Sequence, residues 1–365
     1  MTSLTPDLAR RIARDYGTPA IIVDLDVVAR NIARVQGLCD AARVANRPHI
    51  KTHKSPVIAE MQRKAGAKGI TCQKLGEAEI FADCGFDDIL ISYNVLGEEK
   101  AARLAALMQR SPVAVTVAAD NPVTVESLSR AGVLAGRPVG VVVECDTGRK
   151  RAGVETPAEA VQLAMAIAAA PGVAFRGFMM YPPEDGWPAT QRFLDDALAS
   201  LRAQGLPAPE IVSTGGSPNL PHVGELKGAT EHRPGTYVYN DRMQIEAGVA
   251  TLDDVGLFVV STVVSRAGEE RGILDAGSKT LTSDTGGLDG HGLLLEYPQA
   301  RIAKFAEEHG FLDLSRTNAR PKVGEVVRIV PNHVCVVVNM VDEVVTVRDG
   351  EVVGTLPVAA RGRLR

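Results

Sequence analysis

Residues 47–54, RPHIKTHK, set Arg47, His49, Lys51, His53 and Lys54 within eight positions where an apolar strand should be ending. A solvated strand-to-helix loop is the ordinary explanation of such a cluster. The chemical alternative is a reactive amine. A lysine that is partly out of water and beside other cationic groups has its pKa depressed, so it can attack a carbonyl and form a Schiff base. A second stretch, STGGSPN at 213–219, joins the hydroxyls of Ser213, Thr214 and Ser217 to the unhindered backbone N–H groups of Gly215 and Gly216. Hydroxyls and bare amides of that kind cradle a phosphate. A third feature is His333 and Cys335, two apart in a run that reads as a strand, which would send both side chains to one face. An imidazole with a thiolate suits zinc better than magnesium or calcium, although an isolated pair of this kind is more often plain core.

These groups need elements to position them. Short β-branched runs recur at 20–25, 49–51, 69–72, 88–92, 113–118, 139–145, 173–180 and 210–214, with helix-length segments between them. Helix starts are marked by Ser55-Pro56, Asn121-Pro122 and Thr156-Pro157. Eight strands alternating with helices predict a closed (β/α)8 barrel, and the GxGxxG turn of an open dinucleotide-binding sheet is missing after the early strands. Chemistry in such a barrel sits where the strands end. The exits carry Lys51 and His53, then Gln73, then Glu144 with Arg151 beyond it, then Tyr181, then the Gly215-Gly216 turn. A lysine, a phosphate cradle and an arginine on one rim suggest pyridoxal phosphate.

After about residue 245 the pattern changes. Runs at 255–265, 271–277, 325–330, 333–341 and 343–358 read as strands, with only 299–310 helical. The expected division is therefore a barrel over 18–245 and a β-rich domain over 246–365, with a charged helix over 1–17 that could pack against the latter. No internal repeat or low-complexity linker interrupts this order.

Composition narrows the functional classes. A formal net charge of −4 and 4% aromatic residues give neither the electrostatic footprint nor the stacking surface of a nucleic-acid binder. No apolar run approaches membrane-spanning length. Five cysteines, an odd number without a CxxC pair, fit a reduced cytoplasmic protein better than a disulfide scaffold.

TPAIIVDLD, RPHIKTHK, QKLGEAE, ECDTGRKRAGV, STGGSPN, EHRPGTYVYND, DAGSKTLTSD, EEHG and PNHVC occur in that order from about residue 18 onward. Together they resemble the pyridoxal-phosphate enzymes of the alanine-racemase-type fold, and more narrowly the D-threonine aldolase and D-serine dehydratase branch. The resemblance implies that Lys51 carries the cofactor as a Schiff base, with Lys54 turned toward the following helix. It implies that Arg151 hydrogen-bonds the cofactor ring and that Tyr181 lines it. Thr214, Gly215, Gly216 and Ser217 would hold the phosphate, closed by Gly235 and Tyr237, while Gln73 joins the cofactor set from its strand exit. His333 and Cys335 match the family's metal pair, which favours zinc, with manganese or magnesium as alternatives.

The implied substrate is a D-amino acid with a β-hydroxyl, and the implied assembly is a homodimer. Two reactions follow: aldol cleavage of D-threonine to glycine and acetaldehyde, with His53 or His49 as base, or dehydration of D-serine or D-threo-3-hydroxyaspartate to a keto acid and ammonia, with Lys51 as base. Cys335 inclines toward dehydration, whereas MMYPPEDG and EHRPGTYVYNDR incline toward the aldolases, which is the leading expectation. A racemase of this fold has no need of a metal pair. A barrel that only carries pyridoxal phosphate has no second domain.

Overall fold

The computed structural model describes residues 4–365. The expected N-terminal helix is present as α1 (Pro6–Tyr16), with Thr5 accepting from the Leu8 amide at its start. Residues 1–3, which that expectation included, lie outside the described residues. The chain then forms β1 (Ala20–Asp24) and α2 (Leu25–Ala42). It divides into two compact units: 35–51, 56–235 and 363–365 in one, and 1–34, 52–55 and 236–362 in the other.

The first unit is the barrel. Its strands are β2 (Ala45–Asn46), β3 (Ile70–Cys72), β4 (Asp88–Ile91), β5 (Ala114–Ala119), β6 (Val139–Cys145), β7 (Val173–Met180), β8 (Ile211–Thr214) and β9 (Glu231–His232). All pair in parallel, in the order β2-β9-β8-β7-β6-β5-β4-β3. A further parallel bridge between His49 and Thr71 joins the two ends of that order and closes the ring. Helices α3 (Pro56–Lys64), α4 (Leu75–Asp83), α5 (Glu98–Arg110), α6 (Pro122–Ala135), α7 (Pro157–Ala169) and α8 (Trp187–Ala203) alternate with the strands. Pro56, Pro122 and Pro157 each open a helix as their sequence positions suggest, and Thr156 with Glu159 forms a capping box. Leu90, Ala118, Val142, Met179 and Ile211 make a core cluster within the sheet.

Two strand assignments are corrected. The apolar run at 20–25 is not the first barrel strand. As β1 it lies in the other unit, antiparallel to β10 (Leu257–Arg266) and parallel to a strand at Glu343–Arg348, and its fully buried pattern comes from packing on its faces, Ala20 and Ile22 against α1. The eighth barrel strand is instead β9, which no apolar run announces. Glu231 and His232 are buried there because polar partners satisfy them. Similarly 49–51 is not a regular strand: His49 makes the closing bridge, and Ile50–Thr52 turn as a short 3-10 helix.

The second unit continues from the barrel at Thr236 rather than near 245. It contains α9 (Arg242–Glu246), β10, β11 (Arg271–Leu274), α10 (Ser278–Leu281), β12 (Leu293–Leu294), β13 (Arg301–Phe305), β14 (Gly310–Asp313), β15 (Val326–Val330), α11 (Val334–Asn339), β16 (Glu343–Arg348) and β17 (Glu351–Pro357). A mixed sheet runs β13-β14-β11-β10-β1-β16-β17, with β15 added on β10. Leu8 and Ile12 of α1 share a buried cluster with Phe258, Val260 and Val330 of that sheet.

Two further expectations are overturned in this unit. Residues 299–310 form β13 and the start of β14, paired from Arg301–Asp313 to Phe305–Gly310. The run 333–341 is helical over α11, despite its valines. The Asp241 carboxylate caps the Val334 amide at 3.1 Å, and Val334, Val337 and Val338 bury one helical face. Among the described residues no helix is long and apolar enough to cross a membrane.

Candidate active site

The basic cluster at 47–54 is mostly buried: Arg47 is 3% exposed, His49 7%, His53 1% and Lys54 3%. Each group has its own reason to be there. Arg47 Nε donates to Glu231 at 2.8 Å, and its two terminal nitrogens grip Asp88 at 2.8 and 3.0 Å. It is a structural ion pair that ties β2 to β9 and β4. The Lys54 amine reaches the Ala360 carbonyl at 3.5 Å, and its own carbonyl accepts the Ala360 amide at 3.1 Å. Lys51 alone remains half-buried, on the 3-10 turn beyond the barrel-closing bridge. Its amide donates to His49 Nδ1 at 3.4 Å, and His49 Nε2 lies 3.1 Å from Gln73 Oε1. His49, Lys51 and Gln73 therefore meet at the strand ends, as the barrel reading requires.

The turn after β8 has the form of an anion cradle. Gly215 adopts φ +68°, and a Cβ there would fall 1.9 Å from His232 Cε1. At Gly216 a Cβ would stand 2.8 Å from Tyr181 Cε2. A side chain at either position would collide with a neighbouring ring, and the positive φ of Gly215 favours glycine there besides. Burial pushes His232 down to about 4, so it stays neutral and donates from Nε2 to the Gly216 carbonyl at 3.1 Å. Ser217 Oγ accepts the Gly235 amide at 3.0 Å, which draws Gly235 to the cradle. Thr214 Oγ1 is buried with no hydrogen-bond partner, an orphaned hydroxyl where a phosphate oxygen would complete it.

Thr214→Val is accordingly expected to leave the cofactor-free protein as stable as before, or about 1 kcal/mol more so, because an unsatisfied hydroxyl is removed. The same change should weaken pyridoxal phosphate binding about tenfold. Thermal melts and fluorescence titration check both, and a destabilised protein with unchanged affinity would contradict the cradle.

Tyr181 follows β7, with the Arg149 and Arg151 guanidinium carbons 4.3 and 5.3 Å from its ring centroid. The Arg151 side chain is 62% exposed and stands 3.9 Å from the Glu144 carboxylate. Burial raises the Glu144 carboxyl pKa against the pull of Arg151 and Arg233. Asp146 holds the intervening loop through the Gly148 and Arg151 amides, and these backbone donors carry its carboxylate below its usual value in spite of burial.

In the second unit His333 is the N-cap of α11 and Cys335 lies in its first turn, so a helical turn joins them where a strand was expected. His333 Nδ1 donates to Asp241 at 3.2 Å, which fixes the tautomer and makes Nε2 the nitrogen that could hold a metal. Cys335 Sγ lies 3.2 Å from Thr52 Oγ1 and 3.7 Å from Thr236 Oγ1. Burial opposes charge on His333, but the Cys335 sulfur and Asp241 outweigh it and push the imidazole up to about 10. Among the described residues no group of three or more His, Cys, Asp or Glu side chains gathers to enclose a metal. The donor set fits a metal held by two protein ligands with its other positions open, as catalysis needs, and not a closed structural site.

His53 and Tyr237 also belong to this unit. Tyr237 is fully buried, and His53 Nδ1 accepts the Ser55 amide at 3.1 Å. The chain crosses between units at Lys51–Thr52 and at Gly235–Thr236, inside two of the candidate site segments. The sequence reading assigned no role to Asp241, Thr52, Ser92 or His232. A histidine ligand requires a second-sphere acceptor, and Asp241 stood in the EHRPGTYVYND stretch as the only acid besides Glu231.

A family model described as alanine racemase, N-terminal domain, matches residues 23–243, and one described as putative serine dehydratase domain matches 256–347. Over nearly the full length, the chain is 33% identical to D-threonine aldolase of Arthrobacter sp (94% of this chain, 93% of the relative). It is 32% identical to D-threo-3-hydroxyaspartate dehydratase of Delftia sp. (87% and 90%). Among solved structures, D-threonine aldolase from Filomicrobium marinum superposes with a TM-score of 0.85 at 33% identity, covering 95% and 96% of the two chains. The Delftia dehydratase superposes at 0.83 with 30% identity over 93% and 97%. The fold is thus alanine-racemase-like, a (β/α)8 barrel with a separate mixed sheet. Within that class, the chain belongs to the family of D-threonine aldolases and D-serine dehydratases.

Proposed function

We propose that this protein is a pyridoxal-phosphate- and metal-dependent lyase acting on D-β-hydroxy amino acids, most specifically a D-threonine aldolase. The observation that carries the cofactor reading is the orphaned Thr214 hydroxyl beside two glycines at which a Cβ would collide with the His232 and Tyr181 rings. Bound there, the cofactor supplies an electron sink for charge released at the substrate Cα. Lys51 would hold it, and the lysine amine is the group that would move a proton at the substrate Cα. Thr214, Gly215, Gly216 and Ser217 hold the phosphate, and Arg151 and Tyr181 border the ring. His333 and Cys335 hold a divalent metal, zinc by the softness of the thiolate, that would act as a Lewis acid toward the β-oxygen.

The aldolase reading is supported by whole-length similarity to aldolases in both sequence and structure. Cys335 favours a second reading, dehydration. A solved form of the Delftia dehydratase with a cysteine replaced by alanine is described as metal-free, and the pair in this chain likewise includes a cysteine. The Nδ1 atoms of both His49 and His53 already accept backbone amides, so either histidine would break a bond to act as base there, whereas dehydration needs only Lys51. The deciding experiment supplies D-threonine, D-serine and D-threo-3-hydroxyaspartate separately and partitions products between glycine plus aldehyde and keto acid plus ammonia. Keto acid from every substrate would refute the aldolase, and no product of either kind would refute the lyase.

Metal uptake should depend on pH. His333 must lose its proton before Nε2 can ligate, so apparent affinity should rise up to about tenfold per pH unit between pH 6 and 8. In the metal-free protein the raised value has the opposite sense. Its stability contribution is full below the ordinary histidine value and is lost as pH rises through about 10. Calorimetry in two buffers reads the released proton, and a pH-independent affinity would contradict the assignment. The assembly is a homodimer in this reading, and sedimentation of an active monomer would refute that.

A further inference from the structure

We infer that His49 is a positioning residue, a neutral tautomer-locked clamp that holds the Lys51 turn in the shape that presents the amine. This rests on the reading that Lys51 carries the cofactor. Backbone groups fix the direction of three hydrogen bonds at the ring. Gln73 Nε2 donates to the Ser92 carbonyl at 3.3 Å, which leaves Gln73 Oε1 as an acceptor facing His49 Nε2 at 3.1 Å. Ser92 Oγ donates to the Cys72 carbonyl at 3.4 Å, so it too accepts from His49 Nε2, at 3.3 Å. The ring proton therefore resides on Nε2, shared between two acceptors. Nδ1 is the acceptor, and it takes the Lys51 amide at 3.4 Å.

The clamp is itself anchored. The His49 amide donates to the Pro234 carbonyl at 2.9 Å, and His49 bridges Thr71 where the barrel closes. Gln73 is held in turn by the Glu77 carboxylate, which accepts its amide at 2.7 Å. Ends of the β2, β3 and β4 segments are thus tied through one imidazole to the backbone of the residue that carries the amine. A second proton on Nδ1 would set two donors face to face and release the turn. His49 acts by shape, through Lys51, and takes no proton from the substrate.

Two variants separate the ring's two ends. His49→Asn puts an amide oxygen near Nδ1 and keeps the acceptor for the Lys51 amide. His49→Gln puts an amide nitrogen near Nε2, keeps the donor to Gln73 and Ser92, and loses that acceptor. Hydrogen exchange of the Lys51 amide in the cofactor-free protein should be near wild type in His49→Asn and about tenfold faster in His49→Gln, the scale of one lost hydrogen bond. In the loaded enzyme, His49→Gln should lower kcat and cofactor affinity with KM little changed, and His49→Asn should restore most of both. If His49→Gln fails to fold, the double change Gln73→Leu with Ser92→Ala frees the ring from its other side and should likewise speed Lys51 exchange. Unchanged Lys51 exchange in these variants, or equal loss of kcat in Asn and Gln variants, overturns the clamp. Exchange decides the clamp whether or not borohydride fixes cofactor on Lys51, so its failure is distinguishable from failure of the lysine assignment.

Discussion

Lys51→Ala is expected to give a folded protein in which borohydride fixes no pyridoxal phosphate, with lyase turnover lower by on the order of 10³–10⁴-fold, the upper range for removing a group that moves a proton. Stability should change little. Lys51 is half-buried on a short turn, whereas its buried neighbours Arg47 and Lys54 have structural partners to lose. Arg47 is the useful contrast. Its substitution would leave Glu231 buried on β9 without the Arg47 cation, a change expected to cost about 3–5 kcal/mol, and would lower activity through unfolding. The cradle does not depend on the lysine, so Lys51→Ala should still bind the cofactor reversibly through Thr214 and the glycine amides. Peptide mapping of borohydride-reduced wild type checks the assignment. A label on Lys54 or Lys74 would overturn it.

Chelation is the second large effect. Removing the metal should lower turnover by on the order of 10²–10³-fold, the range seen when one stabiliser of a developing oxyanion is withdrawn. The cofactor should remain covalently attached, since neither Lys51 nor the cradle uses His333 or Cys335. His333→Ala should behave as chelation does. Asp241→Asn should weaken metal binding by about 10–100-fold without removing a ligand, because it loosens the orientation of the imidazole.

Cys335→Asp then divides the two reactions. A carboxylate is a harder ligand, so preference should move from zinc toward manganese or magnesium. An aldolase should keep substantial turnover with those ions, whereas a dehydratase tuned to zinc should fail with all of them. Full activity in the chelated wild type would leave His333 and Cys335 as ordinary parts of the β-rich unit.

The sequence by itself determined the fold class and most of the barrel, and it supplied the candidate groups of the site. The lysine at a strand exit, the hydroxyl-glycine turn and the His-x-Cys pair are local features, and local composition is what a sequence displays directly. The proline-marked helix starts are equally local, because a missing N–H and a fixed φ act at one position.

Only the tertiary structure decided which strands were neighbours. β1 carries the apolar signature of a barrel strand, yet β10 and β16 claim both its edges. β9 has no apolar signature, yet Arg47 and Ser213 satisfy Glu231 and let it enter the barrel buried. A carboxylate from a distant segment, Asp241, made a valine-rich run helical and oriented His333 at once. Pairing, burial and capping of this kind depend on partners far away in sequence. Periodicity reports that a residue is hidden from water, and only the fold says by what.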